Sequence, residues 1–310
     1  MADQELYSVS KAALFYAAAN SLGEGPVWHA QRQSLFWVDI EGRSVQEMGW
    51  PEGVVQSWPM PQRIGTIVPC NTNHLVVALQ DGVALFDLQT GGLEWMIPVE
   101  EDRKDNRPND GKCDSRGRLW LGTMHLEANR PSGSLYCIDE SGEVNQKLSS
   151  LTISNGMAWT ADEKLFYFTD SASKKVDEYL FDAPTGGIAF NRTAVPIPPE
   201  MGLPDGMAID REGMLWIAHW NGFSVCRWNP STGALLHRVE VPVPQVTSCT
   251  FGGSDLDTLF ITTAREGLSA EALLKYPLSG HVFTARPGVR GYPPNHYQSA
   301  TILNNQNHAI

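Results

Sequence analysis

Glu24, Asp110, Asn155 and Asp205 share one local position: each stands directly before a glycine that opens a short apolar run. Ile64 before Gly65 and Ser248 before Cys249 hold the same place in two weaker copies. Three carboxylates and a carboxamide at equivalent places are costly to bury without partners. A hard cation is the simplest partner. Oxygen donors from Asp, Glu and Asn suit Ca²⁺, Mg²⁺ or Mn²⁺ better than a thiol-loving ion. The plainer alternative is that each residue caps a strand start or a turn, as Asx side chains often do. Recurrence at several equivalent positions favours the cation.

The elements that must position these residues repeat with them. Each copy reads as glycine corner, short strand, polar turn and second strand. The copies are 24–40 (EGPVWHAQRQSLFWVDI), 64–80 (IGTIVPCNTNHLVVALQ), 109–124 (NDGKCDSRGRLWLGTM), 154–171 (SNGMAWTADEKLFYFTDS), 201–221 (MGLPDGMAIDREGMLWIAHWN) and 247–264 (TSCTFGGSDLDTLFITTA). Their spacing of roughly 40–50 residues, in an all-strand pattern, is that of a β-propeller with one four-stranded blade per copy. The fold class is therefore all-β, a six-bladed propeller, with the residues before the corners ringed about a central cavity. No Gly/Ser-rich or low-complexity linker interrupts the repeats, so 1–310 reads as a single domain. Residues 7–19 precede the first corner and are expected to close the last blade, pairing with strands formed after Thr247. Residues 299–310 are polar and read as a mobile tail.

Composition narrows the partners. The 310-residue chain carries a formal net charge of −12, which argues against nucleic acid and anionic membrane. It has no apolar run long enough to span a bilayer, and its N-terminus lacks the basic lead of a signal peptide. The five cysteines are odd in number, widely spaced and without a CxxC, which fits a reducing cytoplasm. Cys113, Cys226 and Cys249 sit in apolar strand contexts as small core residues. Trp28, Trp37, Trp50 and Trp58 read as packing between blades, and Asp170 as an acceptor for turn amides. Residues 100–112 (EEDRKDNRPNDGK) read as a solvated loop up to Arg107. His125 is either a lid residue or a surface histidine, and His219 either lines the cavity or packs behind it.

Several motifs resemble the family of gluconolactonase, regucalcin and the luciferin-regenerating enzyme. They are LGEGPVW (22–28), RPNDGKCDSRGRLWLGTM (107–124), ISNGMAW (153–159), PDGMAID (204–210) and TSCTFGG (247–253). The resemblance runs from about Ser21 to Tyr292. It implies one divalent cation in the central cavity, held by Glu24, Asn155 and Asp205. Ca²⁺ leads among the options, with Zn²⁺, Mn²⁺ and Mg²⁺ behind it. It further implies that Arg107, Asn109 and Glu127 bind a sugar, and that Asp110 is not a ligand. The neighbours of Glu127 depart from the family pattern at His125 and Leu126.

The chemistry implied is hydrolysis of a sugar lactone to the free aldonic acid. A cyclic ester needs a polarised carbonyl, an activated water and a stabilised oxyanion, and a divalent cation can serve these needs. The family resemblance gives Asp205 the further role of general base. No Gly-x-Ser-x-Gly elbow is present, which disfavours a serine esterase. The alternatives are a Ca²⁺-binding protein without turnover, and a hydrolase of organophosphates or other esters on the same fold. The expected partner is a small lactone, with the chain a monomer or weak homodimer.

Overall fold

The computed structural model describes residues 7–298. It is a six-bladed β-propeller: four sheets are each built from four consecutive antiparallel strands, and the fifth and sixth each take up a further strand from the N-terminal segment. The inner strands are Gly23–His29, Ile64–Asn71, Asn106–Cys113, Ser154–Trp159, Leu203–Ile209 and Val246–Gly252. Each inner strand touches the next, and the last touches the first, so the ring closes.

Burial explains the sequence patterns. The second strands lie between neighbouring blades and are covered on both faces. They therefore read as continuous apolar runs, such as Leu35–Val38 in Ser34–Asp39, which is buried throughout. Outer strands are more exposed, as Val144–Leu151 is, where only Leu151 is buried. Trp28, Trp37, Trp120 and Trp216 are fully buried, with Trp28 stacked on Phe260 at 6.0 Å between ring centroids. Cys113, Cys137, Cys226 and Cys249 are buried, and all five cysteines are free.

Four aspartates, three of them buried and Asp170 half-buried, tie strand ends to turns. Asp39 accepts from the amides of Ser21, Leu22 and Gly42, and Asp170 from those of Thr152, Ile153 and Ala172. Asp114 and Asp210 close their inner strands and each accepts from a tryptophan Nε1 and an arginine Nε. Asp114 holds Trp120 and Arg118, and Asp210 holds Trp216 and Arg227.

The N-terminal segment divides between two blades. The sequence assigns all of 7–19 to the last blade. In the structure only Ala13–Tyr16 pairs there, antiparallel to Val282–Ala285. Ser8–Lys11 runs parallel to Ala234–Glu240 and gives the fifth blade a fifth strand. The reason is the open outer edge of that blade: its unpaired backbone groups take up the extended chain on its way to the sixth. Residues 299–310 lie outside the described residues. Among the described residues no helix is long and apolar enough to cross a membrane.

Candidate functional site

Every inner strand carries a bulge at the ring position. The pairing register slips between Glu24 and Val27, Ile64 and Thr66, Pro108 and Gly111, Ser154 and Met157, Pro204 and Met207, and Val246 and Ser248. A bulge re-aims a side chain that regular pleating would bury between blades. Four of the six bulges bring together the side chains of Glu24, Asp110, Asn155 and Asp205, while Ile64 packs into the core. The glycines that follow allow the strands to come close. A Cβ on Gly156 would lie 2.5 Å from the Asp205 carbonyl oxygen, and one on Gly206 would lie 2.0 Å from Ser248 Oγ.

The polar ring residues are buried: Glu24 is 7%, Asp110 5%, Asn155 4% and Asp205 5% exposed. Glu24 Oε2 accepts from the Gly25 amide at 2.9 Å, and Asp110 Oδ1 from the Gly111 amide at 2.7 Å. Asn155 Nδ2 donates to Ser171 Oγ at 3.1 Å, which fixes its amide orientation. Asn155 Oδ1, Asp205 Oδ1 and Asp110 Oδ2 are buried without a hydrogen-bond partner. Glu24 and Asp205 adjoin each other, and Asn155 adjoins Asp205. Burial, and then the Asp110 charge, push the Glu24 carboxyl up to about 8. Burial, then Glu24 and Asp110, hold Asp205 well above the usual carboxylate range. Acids crowded this closely cannot all ionise alone. Two carboxylates and an amide oxygen with lone pairs unmet suit a hard divalent cation. Among the described residues no three His, Cys, Asp or Glu side chains form a ligand group, so the set needs its amide.

Beside this ring Arg107 and Asn109 occupy the same strand, 6% and 7% exposed. Arg107 Nη1 donates to Asn109 Oδ1 at 2.6 Å and to the Pro108 carbonyl at 3.0 Å, while its Nε has no partner. Asn109 Nδ2 donates to the Ser154 carbonyl at 2.9 Å. Glu127 is not brought to these two. It lies exposed on the turn after Leu119–His125, with its Oε2 accepting from Asn129 Nδ2 at 2.7 Å. His125 is buried, and its Nδ1 accepts from the Glu127 amide at 3.2 Å. It is thus no surface residue.

Three features escape the sequence reading. Glu100 does not belong to a solvated loop. Its side chain is 5% exposed and accepts from Asn106 Nδ2, Thr123 Oγ1 and Tyr136 OH, anchoring the segment that delivers Arg107. Charges of the Arg107 surroundings come from other blades: Glu266, Glu41 and Arg63 act on it electrostatically, and Arg63 Nε pairs with Glu41 at 2.7 Å. Arg63 precedes the ring position of its blade as Asn109 does in the third, a signal the repeat alignment contains. Lys112 Nζ bonds to the Met157 carbonyl at 3.2 Å and to the Met207 carbonyl.

His219 packs behind the cavity. It is fully buried, its Nδ1 meets the Met201 carbonyl at 3.1 Å and its Nε2 accepts from Trp228 Nε1 at 3.3 Å. Burial lowers its pKa to about 4. The folded state thus resists protonation that the unfolded state accepts from about pH 6.5 downward. Stability from neutral His219 is fully present above that pH and is lost between about 6.5 and 4. The loss is on the order of 3 kcal/mol, at ~1.4 kcal/mol per pKa unit. Chemical denaturation at pH 7.5 and 5 should show the wild type losing more stability over the interval than His219→Gln. Equal losses would remove His219 from the account.

Comparison with known proteins places this geometry. Residues 22–265 match the family model described as the SMP-30/Gluconolactonase/LRE-like region. Regucalcin of Oryctolagus cuniculus is 36% identical over 281 residues, covering 89% of this chain and 94% of the relative. The crystal structure of a calcium-binding protein, regucalcin, from Agrobacterium tumefaciens superposes with a TM-score of 0.90 at 29% identity, over 94% of this chain and 100% of that one. A luciferin-regenerating enzyme superposes with a TM-score of 0.86 at 32% identity, over 93% and 99%.

Proposed function

The chain belongs to the SMP-30/gluconolactonase/LRE-like family, and from that premise we propose that it hydrolyses a sugar lactone to the aldonic acid with the help of one divalent cation. The observation that carries the reading is the convergence of Glu24, Asn155 and Asp205 from three blades, with buried oxygens of Asn155 and Asp205 left unpartnered. These three side chains hold the cation, Ca²⁺ first among Zn²⁺, Mn²⁺ and Mg²⁺. With Glu24 and Asp205 ionised and Asn155 neutral, the set matches a divalent charge. When bound, the cation polarises the lactone carbonyl and offsets the charge of the tetrahedral oxyanion.

The chain's own residues do the rest. Asp205 takes the proton of the attacking water. Arg107 offers its unpaired Nε and planar fork to ring hydroxyls or to developing negative charge. Asn109, its amide fixed between Arg107 and the Ser154 carbonyl, orients the substrate against the water. Glu127 joins them only if the turn 126–129 rotates inward from its hydrogen bond with Asn129.

A second reading, a Ca²⁺-binding protein without turnover, draws on the likeness to a protein described as calcium-binding. Buried Arg107 and Asn109 favour the enzyme, since a bare cation site has no need of a buried guanidinium. The test is proton release on a panel of five- and six-membered aldonolactones, using chelator-treated protein with each metal restored. Metal-dependent turnover supports the lactonase. Tight cation binding with no turnover on any sugar lactone sinks it, and activity confined to other esters or organophosphates moves the reading to an esterase. On the best lactone, Asn109→Ala should lower kcat/KM by about 10- to 100-fold, as expected for loss of an orienting contact. A change below threefold would exclude Asn109 from substrate binding.

A further inference from the structure

Asp110 is the ring residue with no task, and Lys112 is a half-buried cation that the proposed reaction does not use. Asp110 Oδ1 accepts from the Gly111 amide, and its Oδ2 is buried without a partner. Lys112 follows two residues later on the same strand, beyond the bulge, so alternation turns both side chains to the channel. Both line one cavity of about 340 Å³ on the side of the ring away from Arg107. Lys112 Nζ reaches the carbonyls of Met157 and Met207, which stand two residues beyond Asn155 and Asp205. The ammonium therefore crosses from the third blade to the fourth and fifth in the layer directly beneath the cation oxygens.

The charges in this layer add up simply. On the cavity side Lys112 offsets one of the three negative charges of Glu24, Asp110 and Asp205, and the two that remain match a divalent cation, while Arg107 acts on Glu24 from the opposite side. Burial opposes both the Asp110 and the Lys112 charge, and each of the two supports the other. An unopposed Asp110 would offer a further hard oxygen to the cation.

We propose that Lys112 is a positioning residue: standing two residues from Asp110 on the same strand and lining the same cavity, it offsets that carboxylate's charge, keeps it out of the ligand set and sets the charge of the ring for a divalent cation. The inference rests on the cation site proposed above, and its test separates the two.

The test is calorimetric titration of Ca²⁺ into chelator-treated full-length protein, with four variants beside the wild type. Asp110→Asn leaves Lys112 unopposed and should weaken Ca²⁺ binding at least about tenfold. Lys112→Met leaves Asp110 unopposed and should tighten it at least about tenfold. Lys112→Gln keeps a donor for the two carbonyls without the charge and should move in the same direction as Lys112→Met. The double variant Asp110→Asn/Lys112→Met restores the balance and should bind within about threefold of the wild type. Melting of each metal-free protein checks that the variants are folded. A lysine with only a structural role gives unchanged or weaker binding in Lys112→Gln, and a double variant no better than the worse single one. Either result overturns the inference. A folded wild type that binds no divalent cation overturns the cation site itself, and this inference with it.

Discussion

Asp205→Asn should retain a folded protein that still takes up a divalent cation, more weakly, while lactone turnover falls by about 10³-fold or more. The proposal gives this side chain two roles, ligand and base, and the substitution separates them. The amide keeps an oxygen in nearly the same place beside Glu24 and Asn155, so ligation is impaired and not erased. It cannot accept the proton of the attacking water, and general-base catalysis is typically worth ~10²–10⁴. Asp205→Ala removes both functions and should lose cation binding as well as turnover. The measurements are kcat at saturating metal and the cation Kd of each variant. A kcat for Asp205→Asn within tenfold of the wild type would transfer the base role elsewhere, with Glu24 the next carboxylate to test. Lost turnover that returns when the metal concentration is raised would leave Asp205 as a ligand alone.

The second large effect concerns stability. Asp210→Ala should destabilise the fold by about 3–5 kcal/mol, the usual cost of breaking a buried, hydrogen-bonded charge pair. Asp210 is fully buried and holds four donors: the amides of Glu212 and Met214, Trp216 Nε1 and Arg227 Nε. Removing it leaves the guanidinium of Arg227, whose side chain is 14% exposed, with Glu212 as its remaining carboxylate, and unpairs the indole of a fully buried tryptophan. Asp162→Ala is the control. Its ion pair with Lys164 is exposed, and its loss should change stability by less than about 1 kcal/mol. Urea denaturation at one pH gives both values. A cost below about 1 kcal/mol for Asp210→Ala would mean that the repeat's terminal aspartates are dispensable.

How much of this the sequence discloses varies with how local the cause is. The ring residues are legible because the bulge that aims them uses a glycine in five of six blades, and glycine stands out. Asp170 is legible as well, since it ends a strand of one repeat, and it accepts the turn amides expected of it, while the matching bonds of Asp39, Asp114 and Asp210 escape the sequence reading. The surroundings of Arg107 are legible only in part. Arg63 has a local signal in its place before Ile64, but Glu41 and Glu266 come from two other connections, and nothing local to either predicts that it gathers there. Glu100 looks like one acid among many in 100–112, and only the fold places Thr123 and Tyr136 against it. The division of 7–19 between two blades is likewise invisible in its own residues, because the edge that captures Ser8–Lys11 belongs to Ala234–Glu240.

That same closure carries a cost in time. Ala13–Tyr16 is synthesised long before its partner Val282–Ala285. At ~5–20 residues per second, synthesis separates the two by tens of seconds. Throughout that interval the early strand has no mate, and blades already formed expose an unsealed edge. The nascent chain can build most of its blades but cannot lock the ring, so translational pausing or truncation late in the message should be more hazardous to this protein than the same event within a middle blade.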